Sequence, residues 1–288
     1  MSASVSFEVF PARTPEGESQ LWSTLQDLAT LGPEFVSVTC GAGGSDTGAT
    51  AETLRAIRAG TSLRPAGHLT CARRSRVEVD QAIAHYWEAG VRHVVALRGD
   101  VPGGNNQPLS RPDGYTGSIE LIEAVRRQAP FEVTVAAYPE PHPDSRSVAL
   151  DLDVLARKQA AGASRAITQF CFATEAIVRL RDRVDHAGLE LPIVPGIMLA
   201  TNFSAVARMA ARCGASIPQS LAEQFAGLDE DVESRRLMAA IVATRQIEEL
   251  RREGFEAFHF YTLNKVDVIP ALCRLLELQP ATAERLAA

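Results

Sequence analysis

VRHVVALRGD, residues Val91 to Asp100, decides the fold. Its core, His93 to Arg98, is a β-branched run that ends on a charged side chain, followed by a glycine and an acid. Just before it, Ser75 to Gly90 has helical spacing. Val79, Ile83, Tyr86 and Trp87 fall at i, i+4, i+7 and i+8 and share one face. Ser75 suits the N-cap, and Gly90 suits a left-handed turn that ends the helix. Helix, glycine, strand is the repeating unit of a parallel sheet.

The same unit recurs in both directions. Strand-like runs are Ser4–Phe10, Phe35–Cys40, Ala66–Cys71, His93–Arg98, Glu132–Tyr138, Arg165–Phe172, Ile193–Met198 and Ala257–Thr262. Gly162 and Gly188 close the helical stretches Ser147–Ala161 and Thr174–Ala187. Eight strands, each followed by a helix, in a chain of 288 residues predict a closed (β/α)8 barrel of the α/β class. An open doubly wound sheet would carry a Gly-x-Gly-x-x-Gly turn after its first strand, where this chain has Pro11-Ala12-Arg13-Thr14-Pro15. Gly41-Ala42-Gly43-Gly44 reads as a tight loop after the second strand, with Ser45-Asp46-Thr47 as a helix cap. Val101–Tyr115 reads as a loop, and Asn202–Gly254 as extra helices between strands seven and eight. Nothing resembles a linker, so residues 1–288 are expected to form one catalytic domain.

Composition narrows the function. The formal charge of −6 and the acidic balance argue against a nucleic-acid binder, which needs a basic face. The five cysteines, Cys40, Cys71, Cys171, Cys213 and Cys273, form no Cys-x-x-Cys pair, which fits reduced thiols in the cytoplasm and no metal site. Neither a signal peptide nor a membrane-spanning run is expected.

In such barrels the active site lies at the C-terminal strand ends. Polar residues gather there: Glu8, Thr39, His68, Arg98, Asp100, Tyr138, His142, Gln169, Tyr261, Asn264 and Lys265. Glu8 alternates with Phe7 and Val9, so it faces the other side of its strand. A desolvated carboxyl there is a candidate general acid, or else a carboxylate paired with a neighbouring arginine. Asp100 is a ligand-side acid or a loop-start cap, and Gly99 would let a ligand approach the backbone. Gln169 needs partners for its amide, from the barrel or a ligand. His68 and His142 read as hydrogen-bonded residues rather than metal ligands, and Arg157-Lys158 as a solvated pair or a phosphate clamp.

SFEVFPAR (Ser6–Arg13), FVSVTCGAGG (Phe35–Gly44), HLTC (His68–Cys71), VRHVVALRGD, AAYPEPHP (Ala136–Pro143), RAITQFCF (Arg165–Phe172), VPGIM (Val194–Met198) and FHFYTLNK (Phe258–Lys265) together resemble the bacterial methylenetetrahydrofolate reductase family, from Ser6 to about Leu278. The resemblance implies a (β/α)8 barrel that binds FAD without a Rossmann motif. It implies ping-pong reduction of 5,10-methylenetetrahydrofolate to 5-methyltetrahydrofolate with NADH or NADPH, NADH being favoured, in a homo-oligomer without the eukaryotic regulatory domain. Glu8 then matches the general acid that helps open the folate ring to an iminium. Asp100 matches the aspartate near flavin and pterin, and Gln169 a residue that binds nicotinamide and folate in turn. Tyr261 and Lys265 match substrate-side positions. Thr39, His68, Leu97, Arg98, Gly99, Asp100, Tyr115, Ala137, Tyr138, His142, Asp151, Arg157, Lys158 and Ile167 match FAD contacts, with Arg157 and Lys158 on the pyrophosphate. Lys265 stands where arginine is commoner, and Val154 where asparagine is found. Three rivals remain: a folate barrel without FAD, a lyase or aldolase using a Schiff-base lysine or metal, and a non-catalytic partner subunit.

Overall fold

The computed structural model describes residues 3–40, 47–99, 110–141, 145 and 147–278. Nine parallel strands form one sheet that curls into a barrel, with helices around it. The strands are β1 (Ser4–Val9), β2 (Val36–Val38), β3 (Pro65–Thr70), β4 (His93–Leu97), β5 (Glu132–Ala137), β6 (Arg165–Thr168), β7 (Ile193–Val194), β8 (Gly196–Met198) and β9 (Ala257–Tyr261). Their order is β7-β6-β5-β4-β3-β2-β1-β9-β8.

The expected strand over Ile193–Met198 is therefore two segments, and they complete the ring. β7 pairs with β6, whereas β8 pairs with β9. Pro195 sits at the break and has no N–H for a ladder. Its carbonyl accepts from His259 N–H at 2.9 Å. Side-chain bonds staple the gap: Gly196 N–H donates to Thr168 Oγ1 at 2.9 Å, and Tyr261 OH donates to Thr168 O at 2.7 Å. A Cβ on Gly196 would lie 2.3 Å from Thr168 O and 2.6 Å from the Tyr261 ring, so only glycine fits this seam.

Strand alternation sorts the residues into two apolar environments. Val5, Phe7 and Val9 of β1, Val36 and Val38 of β2, and Phe258 and Phe260 of β9 face outward and join the large core under the helices. That core includes Leu21, Leu25 and Leu28 of α1 (Pro15–Ala29) and Ile83 and Tyr86 of α3 (Arg76–Glu88). A second, small cluster draws Phe35, Ala66, Val95, Ile167 and Val194 from five different parts of the ring, and it fills the interior. The interior also holds Ser6, His68, His93, Thr134 and His259, all buried. It is more polar than the branched apolar filling usual in such barrels.

The helix signals behave as read. Ser75 caps α3 in a full capping box with Glu78, and Gly90 follows at φ +79°. Ser147 caps α5 (Val148–Ala160), with Gly162 beyond it at φ +112°. The segment between β8 and β9 holds three helices, α7 (Phe203–Cys213), α8 (Gln219–Phe225) and α9 (Val232–Arg252). They form their own cluster over Phe170 and Met198, in which Phe203 stacks on Phe225 at 4.6 Å. The remaining described helices are α2 (Thr47–Gly60), α4 (Ser118–Gln128), α6 (Thr174–His186) and α10 (Ile269–Leu275). The Gly41–Gly44 turn, most of the 101–115 loop and the cap residues Ser45 and Asp46 lie outside the described residues.

Candidate active site

All strands are parallel, so their C-terminal ends share one rim. Glu8 stands at the end of β1, in register with Tyr261 at the end of β9. Its side chain is only 14% exposed, and among the described residues no arginine pairs with it. Instead His68 Nε2 lies 3.4 Å from Glu8 Oε2. Burial pushes the Glu8 acid up to about 8 and the His68 imidazolium down to about 4. Near neutral pH both groups are therefore uncharged, and Glu8 holds a proton it can donate.

The rest of the rim is held by backbone contacts. Arg98 follows β4, and its carbonyl accepts from Cys71 N–H and Ala72 N–H at 3.2 and 2.9 Å. Gly99 has φ +89°, and a Cβ there would meet Thr70 Cβ at 2.9 Å. That glycine is thus required by the protein's own packing, before any ligand is considered. Thr39 follows β2, and its N–H bonds Val9 O at 3.0 Å. Leu97 and Ile167 border the interior cluster, while Ala137 belongs to the outer core. Gln169 lies just past β6, which stops at Thr168, and not within a longer strand. Its N–H bonds Ala137 O at 2.8 Å and its Oε1 accepts from Phe170 N–H at 3.0 Å.

The expected Arg157-Lys158 pair divides. Lys158 is buried, with Nζ donating to Ala136 O at 2.8 Å near the end of β5, and burial lowers it to about 8. Asp151 acts to raise its proton affinity and Arg98 to lower it, so two cations and one carboxylate meet between β4, β5 and α5. Arg157 points away, 60% exposed, with Asp153 at 3.9 Å. Tyr138 and Asp151 line a shallow surface cleft with Val148, Leu152 and Leu180. Tyr115 lies off the rim, in the seam between α3 and α4. Its OH donates to Asp80 Oδ1 at 2.8 Å, and Arg76 sits 5.1 Å over its ring. Tyr261 OH donates a hydrogen bond to Thr168 O, and Lys265 is exposed beyond the turn. Asp100 and His142 lie outside the described residues.

Sequence reading missed Thr70. Its Oγ1 is buried on the rim without a hydrogen-bond partner among the described residues. The signal was present in HLTC, since Thr70 follows His68 at the two-residue spacing that puts both on one face. Also missed was a clasp over the rim, in which Glu140 accepts from Ser216 N–H at 2.9 Å and from its hydroxyl.

A barrel with this rim is common to many chemistries, and the comparison with known sequences decides among them. The sequence model of the family described as methylenetetrahydrofolate reductase matches residues 1–277. The chain belongs to the methylenetetrahydrofolate reductase family. It is 42% identical over 276 residues to the 5,10-methylenetetrahydrofolate reductases of Salmonella typhimurium and Escherichia coli, covering 96% of this chain and 91% of each relative. A methylenetetrahydrofolate reductase (NADH) of Arabidopsis thaliana is 31% identical over 270 residues, which is 46% of its length. As a methylenetetrahydrofolate reductase the chain is an oxidoreductase acting on a CH–NH group. Among solved structures, a Clostridium thermocellum protein that binds two copies of 5-methyl-5,6,7,8-tetrahydrofolic acid aligns with TM-score 0.59 at 12% identity, over 96% of this chain and 94% of that one. At that identity the likeness shows the fold alone. Among the described residues no group of three or more His, Cys, Asp or Glu could hold a metal ion, and no helix is long and apolar enough to cross a membrane.

Proposed function

We propose that this reductase converts 5,10-methylenetetrahydrofolate to 5-methyltetrahydrofolate through bound FAD, in ping-pong fashion, with NADH as donor. The observation that carries the reading is Glu8: a buried carboxyl, uncharged near neutral pH, on a rim of polar strand ends. Opening the folate's five-membered ring requires a proton at the leaving nitrogen, and a neutral acid in a desolvated mouth suits that task. Gln169 offers its amide NH2 to either substrate. The family resemblance assigns Asp100 a negative charge that would favour a developing iminium. The NADH preference is supported by the Arabidopsis relative, which is named for NADH.

The residues present fit FAD. The Lys158 ammonium and the neighbouring Arg98 suit a pyrophosphate, and the buried Thr70 hydroxyl, without a partner among the described residues, suits a polar ligand atom. Bound FAD would supply the two-electron redox chemistry that links donor and folate in separate half-reactions. None of the five cysteines is in a disulfide, in keeping with a cytoplasmic enzyme. Homo-oligomerisation belongs to the same reading.

An anaerobic spectrum tests it. The purified protein should show flavin absorbance that bleaches with NADH and returns with methylenetetrahydrofolate. In stopped flow, Glu8→Gln should slow the folate half-reaction far more than the nicotinamide half-reaction. A colourless protein that does not take up FAD, or equal slowing of both half-reactions, would count against the reading.

A further inference from the structure

Glu8 and His68 carry their head groups into the same buried corner. Among the described residues each finds only the other as a side-chain partner, at 3.4 Å. Their backbones are pinned. Glu8 O accepts from Thr262 Oγ1 at 2.6 Å, and His68 O accepts from Tyr86 OH at 2.9 Å. The contact bridges β1 and β3 across β2. An ion pair here would bury two charges with no further donors or acceptors, which costs more than the attraction returns. Both acidities move so as to leave the pair uncharged. The surrounding groups do not change this. From β9, Tyr261 keeps its proton for Thr168 O, and His259 is buried neutral against Ser6. From β4, His93 is buried neutral against Thr134. The rim cations Arg98 and Lys158 perturb neither Glu8 nor His68.

We propose that His68 is the positioning residue of Glu8: as a neutral imidazole it donates its Nε2–H to Glu8 Oε2, leaving Oε1 with the acid proton for the ligand in the mouth. The proposal rests on the reading of Glu8 as general acid. When the proton leaves Oε1 for the ligand's basic nitrogen, Glu8 becomes a carboxylate, and the bond from His68 strengthens because its acceptor is now charged. Solvent returns the proton after product leaves. At 3.4 Å the two atoms are in contact without forming that bond, and they must close to hydrogen-bond distance when ligand is bound.

The test is pH-difference infrared spectroscopy of the whole protein, with the Glu8 carboxyl stretch identified by its loss in Glu8→Gln. His68→Leu should move the titration midpoint up by about one unit or more, a tenfold change in proton affinity, because the carboxylate loses its one donor. His68→Gln, whose amide N–H reaches the same place, should restore the midpoint to within about a third of a unit. In the folate half-reaction His68→Leu should be slower by about tenfold or more, and His68→Gln should recover most of the rate. If His68→Leu does not fold, His68→Asn, whose amide is too short to reach Oε2, takes its place. An unmoved midpoint, a His68→Gln protein that behaves like His68→Leu, or an imidazolium signal from His68 in nitrogen NMR at neutral pH overturns the proposal. If the band titrates as expected while Glu8→Gln reduces folate normally, the pair stands and the acid role falls.

Discussion

At the scale of single residues, the barrel interior makes stability depend on pH in two opposing ways. Glu8 binds its proton more tightly folded, at about 8, than unfolded, at 4.5. Its contribution is therefore complete below 4.5 and is lost as pH rises through about 8. His68 and His259 bind theirs less tightly folded, at about 4 and about 3 against 6.5, and His93 is lowered too. Their contribution is lost as pH falls below 6.5. The three imidazoles outweigh one carboxyl on the acid side, so stability should peak near 6.5. From there to about 8 it should fall by about 2 kcal/mol, at about 1.4 kcal/mol per pH unit for one proton. Urea unfolding across that range checks this, and Glu8→Gln should flatten the alkaline slope. The alternation of Glu8 with Phe7 and Val9 was legible in the sequence. Its partner was not, because His68 is sixty residues away in sequence and meets Glu8 only when β1 and β3 are joined through β2.

At the scale of elements, two turns hold the mouth. The break at Pro195 lets one strand serve two neighbours, and Gly196 makes room for Tyr261 to reach Thr168. Gly196→Ala forces a Cβ onto a backbone oxygen, and should cost about 3 kcal/mol or more in urea unfolding and weaken folate turnover. A normal midpoint would mean the seam can shift. After β9, Leu263 and Asn264 adopt φ +50° and +56°, a strained pair for non-glycine residues. Asn264 offsets the strain with side-chain bonds to Phe10: Oδ1 accepts from its N–H at 2.8 Å, and Nδ2 donates to its carbonyl at 3.0 Å. Asn264→Ala should cost about 1–3 kcal/mol and raise the KM for folate, since the turn sits beside Glu8 and Lys265. Helix ends were readable because capping is local chemistry. The split of the seventh strand was not, because a proline marks a break without saying which neighbours the two halves will take.

At the scale of the whole molecule, the two ends of the barrel divide their labour. The floor is tied by Arg165, which reaches Glu34 at 2.6 Å and Glu132 at 2.5 Å and lies 5.5 Å from the Phe35 ring. The rim carries the candidate chemistry. Arg165→Met takes the cation from half-buried Glu34 and leaves Glu132 with Arg64 at 3.7 Å, and should cost about 2–3 kcal/mol, while kcat/KM measured below the unfolding temperature should change little. A large loss of activity in folded protein would tie the floor to the rim.

The sequence alone determined the number and order of βα units, the inward face of β1, the helix caps and, through eight matching segments, the family. These depend on short-range periodicity and on residue types that only certain backbones accept. The tertiary structure decided what those residues meet. It set Lys158 inward and Arg157 outward, turned Tyr115 into the α3–α4 seam, gave Gly99 to Thr70, and brought Glu8 to His68. Curvature and stagger of a closed sheet fix those distances, and neither is written in any local stretch of chain.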